Sequence, residues 1–253
     1  MKNPVNLFKR GLVEGRQQLG IWNTIPGPVV AELLAGCGYD WIVIDTEHSL
    51  TDIPDTLGMM QAVAPYPVSA VVRPQTNDAV LIKRLLDLGA QTLLIPYVQS
   101  ADEAAAAVAA MRYAPRGMRG VSYMTRASLY GQVKDYAQLA EAELCLIVQV
   151  ETLEALTHIE AIAAVDGVDA LFIGPADLAA SMGLAGQGGH PDVVAVIEAA
   201  IARIVAAGKP AGILTTDVAL ARRYMAAGCR FTAVGLDMSL LAAAARGLVA
   251  GLR

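Results

Sequence analysis

The segment GYDWIVID (38–45) has three counterparts elsewhere in the chain: GAQTLLIP (89–96), GVDALFIG (167–174) and GCRFTAVG (228–235). Each begins with Gly, continues through a short apolar run and ends on a residue seven positions after that Gly. A Gly at the end of a helical stretch is the usual left-handed C-cap, and an apolar run too short for a helix indicates a buried strand. We therefore predict a repeated unit in which a helix ends at the Gly and a buried strand follows.

Strands and helices alternate along the rest of the chain. Four further strand candidates are QLGIWN (18–23), PVSAVVR (67–73), LCLIVQVE (144–151) and KPAGILTT (209–216). Helical stretches are predicted at 28–36, 53–64, 78–89, 101–113, 152–165, 191–208, 217–228 and 238–252. Strict alternation implies parallel strands, each followed by a covering helix.

Eight strands and eight helices in 253 residues match the size of one barrel of this type. The sequence therefore predicts an α/β fold, a single (β/α)8 TIM barrel domain over residues 1–253. A doubly wound open sheet is the alternative, but the first strand is followed by GIWNTIPGP rather than a G-x-G-x-x-G turn.

The composition excludes several classes of protein. With 55% hydrophobic and 17% charged residues the chain is not disordered, and no apolar run reaches the length of a membrane span. The net charge of −5, without a basic cluster, argues against nucleic-acid binding. The opening MKNPVNLFKR does not resemble a secretory signal. Three widely spaced cysteines beside apolar runs (Cys37, Cys145 and Cys229) predict buried, reduced thiols and a cytoplasmic protein.

Two connections, 114–143 and 183–190, are longer than the others. Long loops in compact barrels are usually functional or mobile. We expect both to follow strands and to lie on the catalytic face, which is formed by the C-terminal ends of the strands.

Polar side chains follow the fifth and sixth predicted strands. Gln149 and Glu151 stand two positions apart, so they share one face of their strand, and Asp177 follows the next strand. Two carboxylates from neighbouring strand ends suit a hard divalent cation such as Mg²⁺ or Mn²⁺. Helix N-capping by either acid is the alternative. The segment GPADLA opens a helix, and its backbone N–H groups could hold a substrate carboxylate, a phosphate or no ligand at all.

Other strand ends offer catalytic candidates. His48 follows the second strand beside Asp45 and Glu47, as a general base would, although a lone His is more often structural. Arg73 ends the third strand, where it is placed to stabilise a developing oxyanion. Asp87 ends a helix and is either a solvated acid or a partner of a His from another subunit. None of the five lysines follows a predicted strand, so carbonyl chemistry here would use a metal rather than a Schiff base.

The chain resembles the HpcH/HpaI family, the class II, metal-dependent pyruvate aldolases, from about residue 5 to its end. The resemblance is carried by YDWIVIDTEHSLTD, by the stretch from APYPVSAVVRPQTNDAV to LLIPYVQSADEA, and by RYAPRGMRGV, VQVET and GVDALFIGPADLAASMG. It implies reversible cleavage of 4-hydroxy-2-oxo acids into an aldehyde and pyruvate, or a related 2-oxo acid such as hydroxypyruvate, through a metal-bound enolate. Aromatic compound catabolism would be a typical setting.

The resemblance also implies roles for single residues. Glu151 and Asp177 would hold Mg²⁺, Mn²⁺ or Co²⁺, Arg73 would stabilise the enolate oxygen, and His48 would be the base. Asp87 from a neighbouring subunit would raise the basicity of that His. The positions that match substrate-binding residues are Trp22, Gln149, Gly174, Pro175, Ala176 and Leu214.

The family is typically a hexamer, a trimer of dimers, in which the last helix packs on a partner subunit. The 238–252 stretch is apolar enough for that role. The 114–131 segment and the stretch 23–26 depart from the family pattern, which leaves the aldehyde open. A coenzyme A thioester lyase of related design, a phosphate-binding barrel isomerase and a non-catalytic binding module are the alternatives.

Overall fold

The computed structural model describes residues 1–253 and contains a closed barrel of eight parallel strands in the order β1 to β8. The strands are β1 (Gln18–Asn23), β2 (Trp41–Asp45), β3 (Ser69–Arg73), β4 (Thr92–Ile95), β5 (Cys145–Val150), β6 (Ala170–Ile173), β7 (Ala211–Leu214) and β8 (Cys229–Leu236). Each strand pairs in parallel with its neighbours in the chain, and β8 closes the ring on β1. The predicted barrel is confirmed, and the open-sheet alternative is wrong.

Twelve α-helices cover the barrel and its ends. They are α1 (Leu7–Val13), α2 (Pro28–Ala35), α3 (Ile53–Val63), α4 (Ala79–Asp87), α5 (Ala101–Met111), α6 (Tyr136–Glu143), α7 (Leu153–Thr157), α8 (Ile159–Ala163), α9 (Pro175–Ser181), α10 (Pro191–Ala206), α11 (Val218–Ala227) and α12 (Asp237–Ala250). No helix is both long enough and apolar enough to cross a membrane.

The glycine that opens each repeated segment has the backbone conformation that the repeat predicts. Gly38, Gly89, Gly167 and Gly228 have φ angles of 88°, 93°, 105° and 120°. L-amino acids with side chains rarely adopt this region, whereas Gly enters it at little cost. Each of these positions therefore turns the chain sharply from a covering helix into the next strand.

Alternate strand residues divide the core into an inner and an outer part. In β5, Val148 and Val150 belong to the large core under the helices, whereas Ile147 lies inside the barrel. Aromatic rings fill the interior at the N-terminal end of the barrel. There Phe8 of α1 packs edge to face against Trp41 and Phe231, at ring-centroid distances of 5.7 and 5.5 Å. α1 thereby closes the N-terminal end of the barrel and leaves the C-terminal end open.

Three sequence expectations are wrong in detail. The 114–143 connection follows α5 rather than a strand and leads into β5, so it lies at the N-terminal end of the barrel and not on the catalytic face. The helix expected over 152–165 is two short helices that break at His158. Cys37 is exposed because it lies just beyond the end of α2, whereas the other two cysteines are buried as expected.

Candidate active site

A cavity of about 320 Å³ opens at the C-terminal ends of the strands. It contains every predicted site residue except Asp87. Its lining consists of Trp22, Thr24, Asp45, His48, Arg73, Gln149, Glu151, Phe172, Gly174, Pro175, Ala176, Asp177, Leu214, Leu236 and Met238. The predicted site residues other than Asp87 therefore lie together in one cavity, and their roles there stay predictions.

Glu151 lies buried at the end of β5 and accepts hydrogen bonds on both carboxylate oxygens. The backbone N–H of Tyr97 donates to Oε1 at 2.8 Å, and Nε2 of Gln149 donates to Oε2. Burial raises the pKa of Glu151 to about 7, against the lowering effect of these hydrogen bonds, and the charges of Asp177 and Glu47 raise it further. Burial therefore disfavours the charged form of this carboxylate despite its two hydrogen bonds.

Asp177 is the third residue of α9 and is exposed at the rim of the cavity. Neither acid caps a helix: Gly174 precedes α9 without a side-chain cap, and Thr152 caps α7. The helix-capping alternative is therefore wrong for both Glu151 and Asp177. Their carboxylates lie close enough for the charge of Asp177 to raise the pKa of Glu151.

The donor set fits a hard divalent cation with two protein carboxylates. Oε1 of Gln149 is buried without a hydrogen-bond partner, so an acceptor oxygen beside Glu151 is free for a ligand. No group of three His, Cys, Asp or Glu side chains is gathered to bind a metal. A cation held here would accordingly keep positions open for water or substrate oxygens, as Mg²⁺ commonly does.

Arg73 is held at the mouth by two acids of the second strand and its loop. Its Nε and NH2 donate to Oδ1 and Oδ2 of Asp45 at 2.8 and 2.6 Å, and NH1 lies 2.8 Å from Oε2 of Glu47. Burial alone would raise the pKa of Asp45, but the hydrogen bonds and charge of Arg73, with hydrogen bonds from Glu47 and Trp22, hold that pKa below its usual value. Arg73 also lies 5.0 Å from the Trp22 ring centroid. The guanidinium is therefore fixed in place rather than solvated.

His48 lies in the loop after β2, with its side chain 65% exposed. Its Nε2 is 3.7 Å from Oε1 of Glu47. The imidazole can thus meet a substrate from the solvent side of the cavity, while Glu47 links it to Arg73.

Asp87 is not part of this cavity. It ends α4, at the opposite end of the barrel, and its Oδ1 accepts from NH2 of Arg119 at 2.8 Å. The Arg119 side chain is itself buried and lies 4.6 Å from the ring centroid of Tyr113. Within one chain the structure does not bring Asp87 to His48, so the expected pairing needs a second copy.

Sequence reasoning did not identify several residues that form the site. The pairing of Asp45 with Arg73 follows from strand register, in which the two residues are direct partners on β2 and β3. Tyr97, in the turn after β4, has a φ of 54° and donates its N–H to Glu151. No feature of the sequence predicts this conformation. Thr24 and Met238 line the rim from the β1 loop and the start of α12.

Polar groups gathered at the open end of a parallel barrel, above an interior filled with apolar side chains, are the arrangement of a (β/α)8 enzyme. The model of the family described as HpcH/HpaI aldolase/citrate lyase matches residues 18–244. The chain is 58% identical over 250 residues to the pyruvate aldolase of Rhizobium etli, which covers 99% of this chain and 98% of that protein.

It is also 55% identical to the hydroxypyruvate/pyruvate aldolase of Sagittula stellata, over 97% of each chain. A crystal structure of an HpcH/HpaI aldolase/citrate lyase family protein from Burkholderia cenocepacia superposes with a TM-score of 0.91 at 41% identity, covering 98% of this chain and all of that one. The chain belongs to the HpcH/HpaI aldolase/citrate lyase family, and it is a carbon–carbon lyase of the aldolase type.

Proposed function

We propose that this enzyme catalyses the reversible, metal-dependent cleavage of 4-hydroxy-2-oxo acids into an aldehyde and pyruvate or hydroxypyruvate. The main support is the convergence of an acid pair, an amide, a guanidinium and an imidazole in one cavity: Glu151, Asp177, Gln149, Arg73 and His48. The relatives named pyruvate aldolase and hydroxypyruvate/pyruvate aldolase support pyruvate and hydroxypyruvate as the two 2-oxo acids.

Glu151 and Asp177 would hold Mg²⁺, Mn²⁺ or Co²⁺ in this proposal. Such an ion, when bound, would act as a Lewis acid that polarises the carbonyl of the 2-oxo acid. Gln149 would orient the 2-oxo acid by donating a hydrogen bond from its side-chain NH₂ group, and the backbone of Gly174, Pro175 and Ala176 would face the substrate carboxylate at the start of α9. Trp22 and Leu214, which also line the cavity, would border the substrate.

Arg73 would carry the electrostatic part of the reaction. Cleavage breaks the bond between C3 and C4 and leaves negative charge on the C2 oxygen of the resulting enolate. A fixed guanidinium at that oxygen stabilises the charge without reorganising, because its position is already set by Asp45 and Glu47. Protonation at C3 then yields the free 2-oxo acid.

His48 would take the proton of the 4-hydroxyl, directly or through a water molecule, as C4 becomes the aldehyde carbon. Its exposed position at the rim suits a group that must exchange protons with solvent. Asp87 of a partner subunit would raise the basicity of His48 in this proposal, since the same chain's Asp87 is at the other end of the barrel.

We further propose that residues 1–253 act as one aldolase domain in a cytoplasmic homo-hexamer, a trimer of dimers. Support for assembly comes from α12, which extends beyond the barrel with nearly all its residues exposed or half-buried. A partner subunit would cover that helix.

Metal dependence is tested by measuring aldol addition of pyruvate to a small aldehyde, with hydroxypyruvate as the second donor. EDTA should abolish activity, and Mg²⁺ or Mn²⁺ should restore it. Activity that survives EDTA, together with trapping of the enzyme by borohydride and pyruvate, would refute the proposal. A coenzyme A thioester turned over faster than any 2-oxo acid would indicate a thioester lyase instead.

The ligand assignment is tested with Glu151→Gln, which should abolish tight Mn²⁺ binding because the neutral amide cannot replace a buried carboxylate ligand. Glu154→Gln is the matched control, because Glu154 is exposed on the neighbouring α7. Mn²⁺ affinity is measured by isothermal titration. Equal affinity of the Glu151→Gln variant and the wild type would contradict the assignment.

A further inference from the structure

Asp237, the first residue of α12, is a buried carboxylate that binds the loop after β1. It is only 4% exposed. Its Oδ2 accepts from Nδ2 of Asn23 at 2.6 Å and from the N–H of Ile25 at 2.8 Å, and its Oδ1 accepts from Oγ1 of Thr24 at 2.8 Å. The N–H of Thr24 contacts both oxygens, and that of Met238 donates to Oδ1 at 2.7 Å. All of these donors are uncharged.

A buried charge is costly unless hydrogen bonds replace its water. Here almost all of the replacement comes from residues 23–25, so Asp237 and this loop hold each other in place. Helix capping alone does not account for the arrangement, because only one of the bonds, to Met238, is made to the helix that Asp237 begins.

The loop and the helix start that Asp237 joins are part of the cavity wall. Thr24 and Met238 both line the cavity. In the closed ring of eight strands, β1 lies across the barrel from β5, which carries Gln149 and leads into Glu151. The wall that Asp237 organises is therefore across the cavity from Gln149 and Glu151, which are proposed to hold the 2-oxo acid and the metal.

We propose that Asp237 is a positioning residue that fixes Thr24 and Met238 as the wall against which the aldehyde binds. This inference rests on the proposed function and deepens it, because it assigns the aldehyde half of the site. The wall offers an apolar thioether and a threonine whose hydroxyl is already engaged, and neither carries a charge. It suits an uncharged aldehyde better than one that bears a carboxylate.

The test separates the two halves of the reaction. Oxaloacetate decarboxylation yields the same pyruvate enolate without an aldehyde, so it reports on the 2-oxo acid side alone. In Asp237→Asn the new NH₂ group is a donor that faces backbone N–H donors, so the hydrogen bonds to the loop are lost. Because the loop is then no longer held in place, the KM for a short aliphatic aldehyde should rise about tenfold or more. The decarboxylation rate should stay within about twofold of wild type, as for a site whose other half is intact.

Asp217→Asn is the matched control, because Asp217 caps α11 at the same end of the barrel without contacting the loop. It should leave the aldehyde KM unchanged. Equal losses of decarboxylation and aldol addition in Asp237→Asn, or an unchanged aldehyde KM, would overturn the inference. A wild-type enzyme with no aldol activity would instead refute the proposed function.

Thr24 provides a second pair of variants if Asp237→Asn fails to fold. Thr24→Val removes the hydroxyl at nearly constant shape and should raise the aldehyde KM. Thr24→Ser keeps the hydroxyl and should have an aldehyde KM close to that of the wild type. Wild-type KM in Thr24→Val would overturn the inference. Comparing butyraldehyde with succinic semialdehyde tests the charge preference, and a higher kcat/KM for the carboxylated aldehyde would contradict it.

Discussion

Gly174 lies closer to the acids of the site than any residue with a side chain could. A Cβ at this position would stand 2.7 Å from Cβ of Glu151 and 2.8 Å from Nε2 of Gln149, and it would also collide with the Glu151 carboxylate. The end of β6 can therefore approach the end of β5 only because residue 174 has no side chain. This close approach brings the Glu151 carboxylate near that of Asp177.

Gly174→Ala should weaken Mn²⁺ binding by about tenfold or more, because the added methyl displaces Glu151 from its orientation. Gly188→Ala is the control, since the nearest heavy atom to a Cβ there is the Pro175 oxygen at 3.9 Å. Isothermal titration with Mn²⁺ measures both. Unchanged affinity in Gly174→Ala would show that the close approach has no part in ligand binding.

The sequence predicted the residues whose position follows from side-chain alternation along one strand. It missed those whose position depends on how neighbouring strands align. Gln149 and Glu151 could be assigned to one face because strand side chains alternate. The ion pair between Asp45 and Arg73 depends on how β2 aligns with β3, which a single sequence does not display. The location of Asp87 shows the same limit, because its distance from His48 depends on the whole fold and on assembly.

At the scale of elements, all eight strands were predicted to within three residues at either end, because buried apolar runs between Gly and Pro signals are distinctive. Two helices, α1 and α6, had no such signal. α1 has seven residues, including Gly11, and α6 begins directly after Asp135, which has a left-handed conformation and makes no side-chain cap. Tertiary contacts rather than local propensity stabilise both.

Phe8 shows how α1 depends on the barrel. Its ring packs inside the closed end against the two aromatic residues that fill the interior there. Phe8→Ala should lower the free energy of unfolding by about 3–5 kcal/mol, because it removes a large ring from a fully packed space. Leu7→Ala, on the exposed side of the same helix, should have little effect. Urea denaturation compares the two, and equal losses would mean that Phe8 is not the anchor of α1.

At the scale of the whole molecule, α12 is one of the places where large apolar side chains remain exposed. Leu241 and Leu248 are 63% and 74% exposed, and their spacing of seven places them on one face of the helix. α2, which follows the neighbouring strand β1, also exposes Val29 and Leu33. An isolated helix with such a face would be marginal in water, which favours the proposed cover by a second copy of the chain.

The variant Leu241→Asp/Leu248→Asp should dissociate the proposed hexamer. Burying two carboxylates without partners is unfavourable by more free energy than the remaining apolar contacts contribute. Val218→Asp is the control, since Val218 is 62% exposed on a different helix, α11. Light scattering after size-exclusion chromatography gives the mass of each.

Dissociation should also lower aldol activity, because Asp87 can approach His48 only from another subunit. A double variant that keeps the wild-type mass would rule out α12 as the contact, and a dissociated variant with full activity would show that Asp87 has no role in catalysis.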